Sequence, residues 1–239
     1  MRVLAVIPAR GGSKRLPGKN IRALRGRPLI GWTIDFARSI DWFSEIHVST
    51  NSPEIAAVAA AHGVPVARLR PAELATDEAG SAEVALELLA WYGAQQREFD
   101  AVALLQPTSP VRLAQRWHEA RRLLEAADCD GVIGVAPAAT HPYLVFRRSP
   151  DGRLTRWDPD GAGATRSQDM PPACQVNGAL YLVKASALQA QRSFFPARCR
   201  AVVCDEPVEN IDIDTPDDWR RAESLVDDWS KEHEDLRHR

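Results

Sequence analysis

From the amino terminus to about residue 136, apolar runs of strand length alternate with longer stretches in which apolar residues recur at helical spacing. The pattern predicts strands at 2–7, 45–49, 64–68, 100–105 and 131–136, with helices at 28–39, 53–62, 80–95 and 113–127. Such alternation belongs to a mostly parallel sheet flanked by helices, so the fold class is α/β and Rossmann-like. The helix at 53–62 opens with Ser52 as N-cap and Pro53 at its first position. Residues 138–176 break the rhythm. Arg147 to Arg153 reads as a turn between extended pieces, and a Gly- and Pro-rich stretch at 158–173 follows, so the segment is expected to be an insertion carrying a hairpin. Regular structure resumes with a strand at Ala179–Val183, a short helix from about 185, a strand at 201–204, a final helix from Pro216 and a solvated tail at 231–235. In open sheets of this kind ligands sit beyond the carboxyl ends of the strands, which gathers loops distant in sequence into one pocket.

At 239 residues the chain suits a single domain, 1–239, with the insertion at about 138–176. Its 30 Lys+Arg against 32 Asp+Glu leave no overall basic field, which argues against nucleic acid as a partner. Local positive charge must then mark a site. No apolar run reaches the roughly 18 residues of a membrane span, and Arg10 with its glycines interrupts the first apolar stretch too early for a signal peptide. Cys129, Cys174, Cys199 and Cys204 form no C-x-x-C pair and are expected to be reduced, mostly buried thiols of a cytoplasmic protein.

The loop after the first strand gathers Ala9, Arg10, Gly11, Gly12, Ser13, Lys14, Arg15, Gly18, Lys19 and Asn20. Glycines let the backbone approach a ligand and turn its N–H groups inward, while the cations offset the charge of a polyphosphate. The chain is therefore expected to handle a nucleoside triphosphate. The loop is not an ATPase P-loop, because Gly12 and Gly18 stand one residue too far apart and Asn20 replaces the metal-binding hydroxyl. Nor is it a dinucleotide fingerprint, since Gly11 and Gly12 are adjacent. Metal ligands must come from elsewhere. In the segment Glu209 to Pro216, Asp212 and Asp214 alternate with Ile211 and Ile213, which puts both carboxylates on one face of an extended chain. These are the expected Mg2+ ligands, magnesium needing only one or two carboxylates beside phosphate oxygens. Asp217 and Asp218 fall in the first turn of the last helix and serve its dipole. A third constellation, Gln106 to Arg112, is stiffened by Pro107 and Pro110. Gln106 is expected to hydrogen-bond an acceptor molecule, Thr108 or Ser109 to cap the next helix, and Arg112 to fasten the loop. A weaker patch, Arg70 to Asp77 with Ser81, has polar groups suited to a base, and Arg70 suits a phosphate or ribose.

These motifs, in the order Ile7 to Lys14, Leu105 to Pro110, Asn177 to Tyr181 and Asp212 to Thr215, resemble the acylneuraminate cytidylyltransferase family over nearly the whole chain. The resemblance implies a nucleotidyltransferase fold that joins CTP to a small acidic acceptor, a keto-sugar acid, by in-line attack on the α-phosphorus. It implies Lys19 near the α-phosphate, Arg10 nearer the leaving phosphates, Asn20, Arg70 and Ser81 at the nucleotide, and Asp212 and Asp214 at magnesium. For the acceptor it implies Gln106, Arg166, Gln168, Asn177, Tyr181, Phe194 and Phe195, with Arg166 at the sugar carboxylate and the aromatics at an N-acyl group. It further implies a homodimer in which the insertion is a dimerisation arm that reaches over the partner's site and supplies an arginine. Two features depart from the pattern. Asn51 stands where the family generally has aspartate, and His141-Pro142-Tyr143 resembles the branch acting on bacterial relatives of sialic acid such as legionaminic acid. An eight-carbon keto-sugar acid or a phosphonic acid as acceptor, another nucleotide, and a sensor without turnover remain as alternatives. No side chain stands out as a general base.

Overall fold

The computed structural model describes residues 1–126, 128–163 and 166–232. In chain order the strands are β1 (Val3–Pro8), β2 (Ala23–Leu24), β3 (Arg27–Pro28), β4 (Phe43–Ser49), β5 (Ala101–Leu104), β6 (Gly131–Pro137), β7 (Phe146–Arg148), β8 (Leu154–Arg156), β9 (Cys174–Lys184) and β10 (Cys199–Val203). The α-helices are α1 (Leu29–Ser39), α2 (Pro53–Ala61), α3 (Ser81–Gly93), α4 (Ala114–Glu125), α5 (Ala185–Gln191) and α6 (Pro216–Glu232). Six strands form the main sheet in the order β10-β6-β9-β5-β1-β4. β1 pairs in parallel with β4 and β5, β10 pairs in parallel with β6, and β9 runs antiparallel between β5 and β6.

The continuous apolar run of β1 is buried on both sides, as a central parallel strand requires. Val3, Ala5 and Ile7 face a core with Ile30 and Ile34 of α1, Ile55 of α2 and Trp117 of α4, whereas Leu4 and Val6 face a second core with Val84 and Leu88 of α3 and Leu188 of α5. A third cluster joins Leu16 of the glycine-rich loop, Ile211, Ile213 and Val111 to Trp219, Ala222 and Val226 of α6. That cluster ties the amino-terminal loop to the carboxylate segment, which lies about two hundred residues away, and so builds the site. The cap expected on α2 is present, Ser52 Oγ accepting from Ile55 N at 3.3 Å.

Three expectations are corrected. Residues 64–68 form no strand, because Pro65 lacks an N–H and β4 is already the sheet edge; the segment instead returns Arg70 to the end of β4, with Arg70 N donating to Thr50 O at 2.6 Å. Neither Thr108 nor Ser109 caps α4, whose N-cap is Leu113 with no side-chain bond. The insertion ends at 173 rather than 176, since Cys174 to Val176 already pair with Val135 to Pro137. Its hairpin is β7–β8, closed by a turn in which Gly152 takes φ 88°. Residue 127, at the end of the helix expected at 113–127, and residues 233–235 of the expected tail lie outside the described residues; the chain is helical through Glu232. Of the thiols expected to be mostly buried, Cys129 and Cys204 are buried but Cys174 and Cys199 are exposed; Cys199 opens β10 and Cys204 follows its last residue, about 16 Å away at ~3.3 Å per residue. Among the described residues no helix is long and apolar enough to cross a membrane.

Candidate active site

The parallel strands β1, β4 and β5 end side by side, and a cavity of about 240 Å³ opens beyond their carboxyl ends. The sheet order diverges there, β4 lying on one side of β1 and β5 on the other, which is where such sheets bind ligands. Its lining brings together Arg10, Ser13, Lys14, Arg15, Lys19, Asn20, Arg70, Ser81, Gln106, Thr108 and Asp214. Ala9, at the end of β1, is fully buried.

The loop holds its shape through backbone conformations that suit glycine. Gly12 and Gly18 take φ 78° and 67°, and Gly18 precedes a turn of 3-10 helix at Lys19–Ile21. Gly11 N donates to Asn51 Oδ1 at 2.8 Å, so the asparagine standing in place of an expected aspartate braces the loop. Asn20 Nδ2 donates to Arg10 O at 3.0 Å, closing the loop on itself. Lys19 is buried, and its Nζ donates to Ile213 O at 2.7 Å and to Asp214 Oδ1 at 2.8 Å. Arg15 holds the other oxygen of Asp214 at 2.7 Å. Although desolvation opposes it, the bonds and charges of Lys19 and Arg15 keep the Asp214 carboxyl below the usual carboxylate range. At the cavity mouth Asp77 bridges Arg10 and Lys14. Arg70 is stapled to the end of β4, with Nε to Ser49 Oγ at 2.9 Å and a second donor to Ser49 O at 2.6 Å; burial first, then the charge of Arg10, pulls its pKa down to about 10.

Asp212 alternates with buried Ile211 and Ile213 as expected, and Thr108 bonds its carboxyl. Desolvation, then the nearby Asp214 charge, raises its pKa. Asp214 is not the helix cap: Thr215 Oγ1 accepts from Asp218 N, and the Asp218 carboxylate accepts from Asp214 N and Thr215 N, a reciprocal capping box that fixes the turn. Arg112 fastens the Gln106 loop as expected. Its guanidinium donates to Gln106 O at 2.6 Å, Ala179 O at 3.0 Å and Thr33 Oγ1 at 3.2 Å, and burial lowers its pKa to about 9.

A second cavity, also about 240 Å³, adjoins the first and shares Ser81 and Gln106 with it. It holds Tyr181, Phe194 and Phe195, whose rings meet edge-on at Tyr181 with centroids 6.1 and 5.9 Å apart. Burial, then the charge of Asp212, raises the Tyr181 pKa. Asp212 itself lines neither cavity but a small hollow with Asn210, Ile211, Asp218 and Arg221, so only Asp214 of the expected pair faces the nucleotide cavity. Asn177 does not line either cavity; it is buried and pins the β9 bulge, accepting from Ala179 N and donating to Asn210 Oδ1. Arg166 and Gln168 are exposed on the insertion, with Arg166 paired to Asp169 at 2.6 Å, away from both cavities. Glu83 and Arg192 line the second cavity without a signal in the sequence, because isolated charges at helix ends carry no spacing; Asp77 belongs to the expected Arg70 to Asp77 patch but meets Arg10 and Lys14.

Residues 4–145 match the sequence profile of a family described as cytidylyltransferase. The chain is 37% identical over 233 residues to the CMP-N,N'-diacetyllegionaminic acid synthase of Legionella pneumophila subsp. pneumophila, covering 95% of this chain and 97% of that protein. It is 35% identical over 226 residues to an N-acylneuraminate cytidylyltransferase of Streptococcus agalactiae serotype V, covering 92% of this chain but only 52% of that longer protein. In fold it is similar to a CMP:2-keto-3-deoxy-manno-octonic acid synthetase solved with CTP, at TM-score 0.70 and 17% identity over 96% of this chain and 100% of that one.

Proposed function

Because the chain belongs to the cytidylyltransferase family, we propose that it transfers CMP from CTP to the anomeric hydroxyl of a nonulosonic acid of the legionaminic or sialic type. The hydroxyl oxygen bonds to the α-phosphorus, the bond from that phosphorus to the β-phosphate bridge breaks, pyrophosphate leaves, and the hydroxyl proton passes to solvent. The observation that carries this reading is the adjoining of a cation-lined cavity and an aromatic one across Gln106 and Ser81. Lys19, anchored by Ile213 O and Asp214, holds a positive charge for the α-phosphate, and Arg10 and Lys14 meet the leaving phosphates. Asn20, Arg70 and Ser81 orient the nucleotide, and Gln106 and Tyr181 orient the acceptor.

Asp212 would suit magnesium, a hard oxygen donor with a hydroxyl but no cationic side chain bonded to it, whereas the oxygens of Asp214 are held by Lys19 and Arg15, one of which would have to yield to the ion. When bound, the ion would neutralise charge on the phosphate oxygens. The chain's own part is to orient the two carboxylates through Thr108, Lys19 and the capping box.

The insertion exposes Leu144, Phe146, Leu154 and Trp157, an apolar set that suits a second copy of the chain, so the working form is a homodimer in which Arg166 reaches the neighbour's acceptor pocket. A cytoplasmic location suits its free thiols. Pyrophosphate release, measured with CTP, UTP, GTP and ATP against legionaminic, sialic, eight-carbon keto-sugar and phosphonic acids, tests the reading. CTP with a nonulosonic acid should be the preferred pair by at least tenfold; preference for another nucleotide, or no release with any acid, refutes it.

A further inference from the structure

Both oxygens of Asp214 are held by cations, Oδ1 by Lys19 Nζ at 2.8 Å and Oδ2 by Arg15 Nη2 at 2.7 Å, so a divalent ion can bind this carboxylate only where one of them lets go. The two are built differently. The Lys19 side chain is 10% exposed and its Nζ has a second acceptor, Ile213 O at 2.7 Å, so moving it strands a buried carbonyl and a buried charge. The Arg15 side chain is 68% exposed, and among the described residues Asp214 is its only hydrogen-bond or ion-pair partner. An exposed pair of that kind contributes little and gives way at small cost. The backbone beside it is fixed, since Leu16 is buried against α6 and its carbonyl accepts from Lys19 N at 3.2 Å, so the Arg15 side chain alone has to turn. Arg15 lines the nucleotide cavity together with Arg10, Lys14 and Lys19, and a guanidinium that leaves Asp214 therefore stays where a triphosphate would lie.

We propose that Arg15 is the exchangeable cation of this site: it holds Asp214 Oδ2 while no metal is bound, yields that oxygen to a divalent cation, and turns its guanidinium to the triphosphate that arrives with the metal. This inference rests on the cytidylyltransfer reading above. Lys19 keeps Oδ1 throughout, so the carboxylate stays oriented while its other oxygen changes partner. A doubly charged ion repels a guanidinium left at the same oxygen, and the planar fork of that guanidinium fits the phosphate oxygens that come with the ion. Because one cation has to leave, the ion binds weakly until a phosphate is there to receive Arg15, and ion and nucleotide bind best together.

Mn2+ serves as the probe, the free ion being counted by its paramagnetic resonance with no nucleotide present. Arg15→Gln should bind Mn2+ about threefold or more tighter than wild type, because no pair has to be broken first. Lys14→Gln removes the same charge from the same loop, but from a residue that pairs with Asp77, and should stay within about twofold of wild type. With Mg2+ saturating and no acceptor, so that nothing turns over, CTP should bind Arg15→Gln about threefold or more weaker than wild type, a guanidinium being lost from the triphosphate. Opposite signs for ion and nucleotide are the signature, since a residue that merely holds the loop in shape would weaken both. Mn2+ affinity unchanged or weaker in Arg15→Gln, or raised equally in Lys14→Gln, overturns the exchange, as does an unchanged CTP affinity. If wild-type protein binds no CTP, the cytidylyltransfer reading falls and the handover with it, while the Mn2+ comparison still shows which cation Asp214 releases.

Discussion

Replacing Arg112 by methionine tests whether a buried charge without a carboxylate partner stabilises this fold. The guanidinium joins the Gln106 loop, β9 and α1 through the carbonyls of Gln106 and Ala179 and the hydroxyl of Thr33. Methionine keeps much of the apolar stem and removes every donor. Each carbonyl left short of a donor costs about 1–3 kcal/mol, so about 2–6 kcal/mol is lost. Against this, keeping a charged group out of water costs several kcal/mol, and that penalty vanishes in the variant. Burial alone accounts for the depressed pKa of this arginine, so the penalty is present. Because no counter-charge is left stranded, the bonds outweigh it by a modest margin, and we expect a net loss of about 2 kcal/mol, read from urea midpoints at constant slope. In the same variant the acceptor KM should rise severalfold, since Gln106 loses its brace, while the CTP KM holds. A variant as stable as wild type, or more stable, would show that desolvation dominates and that Arg112 is no staple.

Lys19→Met and Asp214→Asn should each lower kcat on the order of 10²-fold or more at saturating CTP; near wild-type turnover in either removes the assigned role. His47, buried against the Tyr92 hydroxyl at 3.0 Å, has its pKa lowered to about 4, first by burial and then by the Arg68 charge. The unfolded chain therefore binds a proton that the native state refuses. Stability should be full above about pH 6.5 and fall by about 3 kcal/mol as the pH drops towards 4, and His47→Asn should flatten that limb of the urea midpoint against pH. Leu154→Asp with Trp157→Asp should shift sedimentation from dimer to monomer if the exposed apolar set of the hairpin joins two copies; an unchanged mass disposes of that interface.

Helices were legible because their periodicity and caps are local: α1 and α2 begin within one residue of the reading, and Ser52 caps as expected. The strand at 64–68 failed because Val64 and Val66 share the apolar character of strand residues, while Pro65 and the missing edge partner act at the level of the sheet. β9 extends well beyond the strand expected at Ala179–Val183, because Asn177 and Gly178 form a bulge within one long antiparallel strand instead of starting it, with Gly178 at φ 80°. The spacing of the glycine-rich loop and of Asp214 points to the residues that line the nucleotide cavity, whereas Asp212, expected beside Asp214, faces a separate hollow. Arg192 and the partners of Asp77 are not legible in the sequence, since only the fold brings these charges to the cavities.

The clasp of Asp77 on Arg10 and Lys14 cancels one of the two positive charges at the cavity mouth before any substrate arrives. An incoming phosphate therefore has to displace an anion to reach both cations. A monovalent ion such as chloride gains little by that exchange, whereas a triphosphate chain, with several negative oxygens in reach of both cations at once, displaces the carboxylate readily. Counter-ion competition of this kind sorts ligands by charge density at the loop that meets the leaving phosphates.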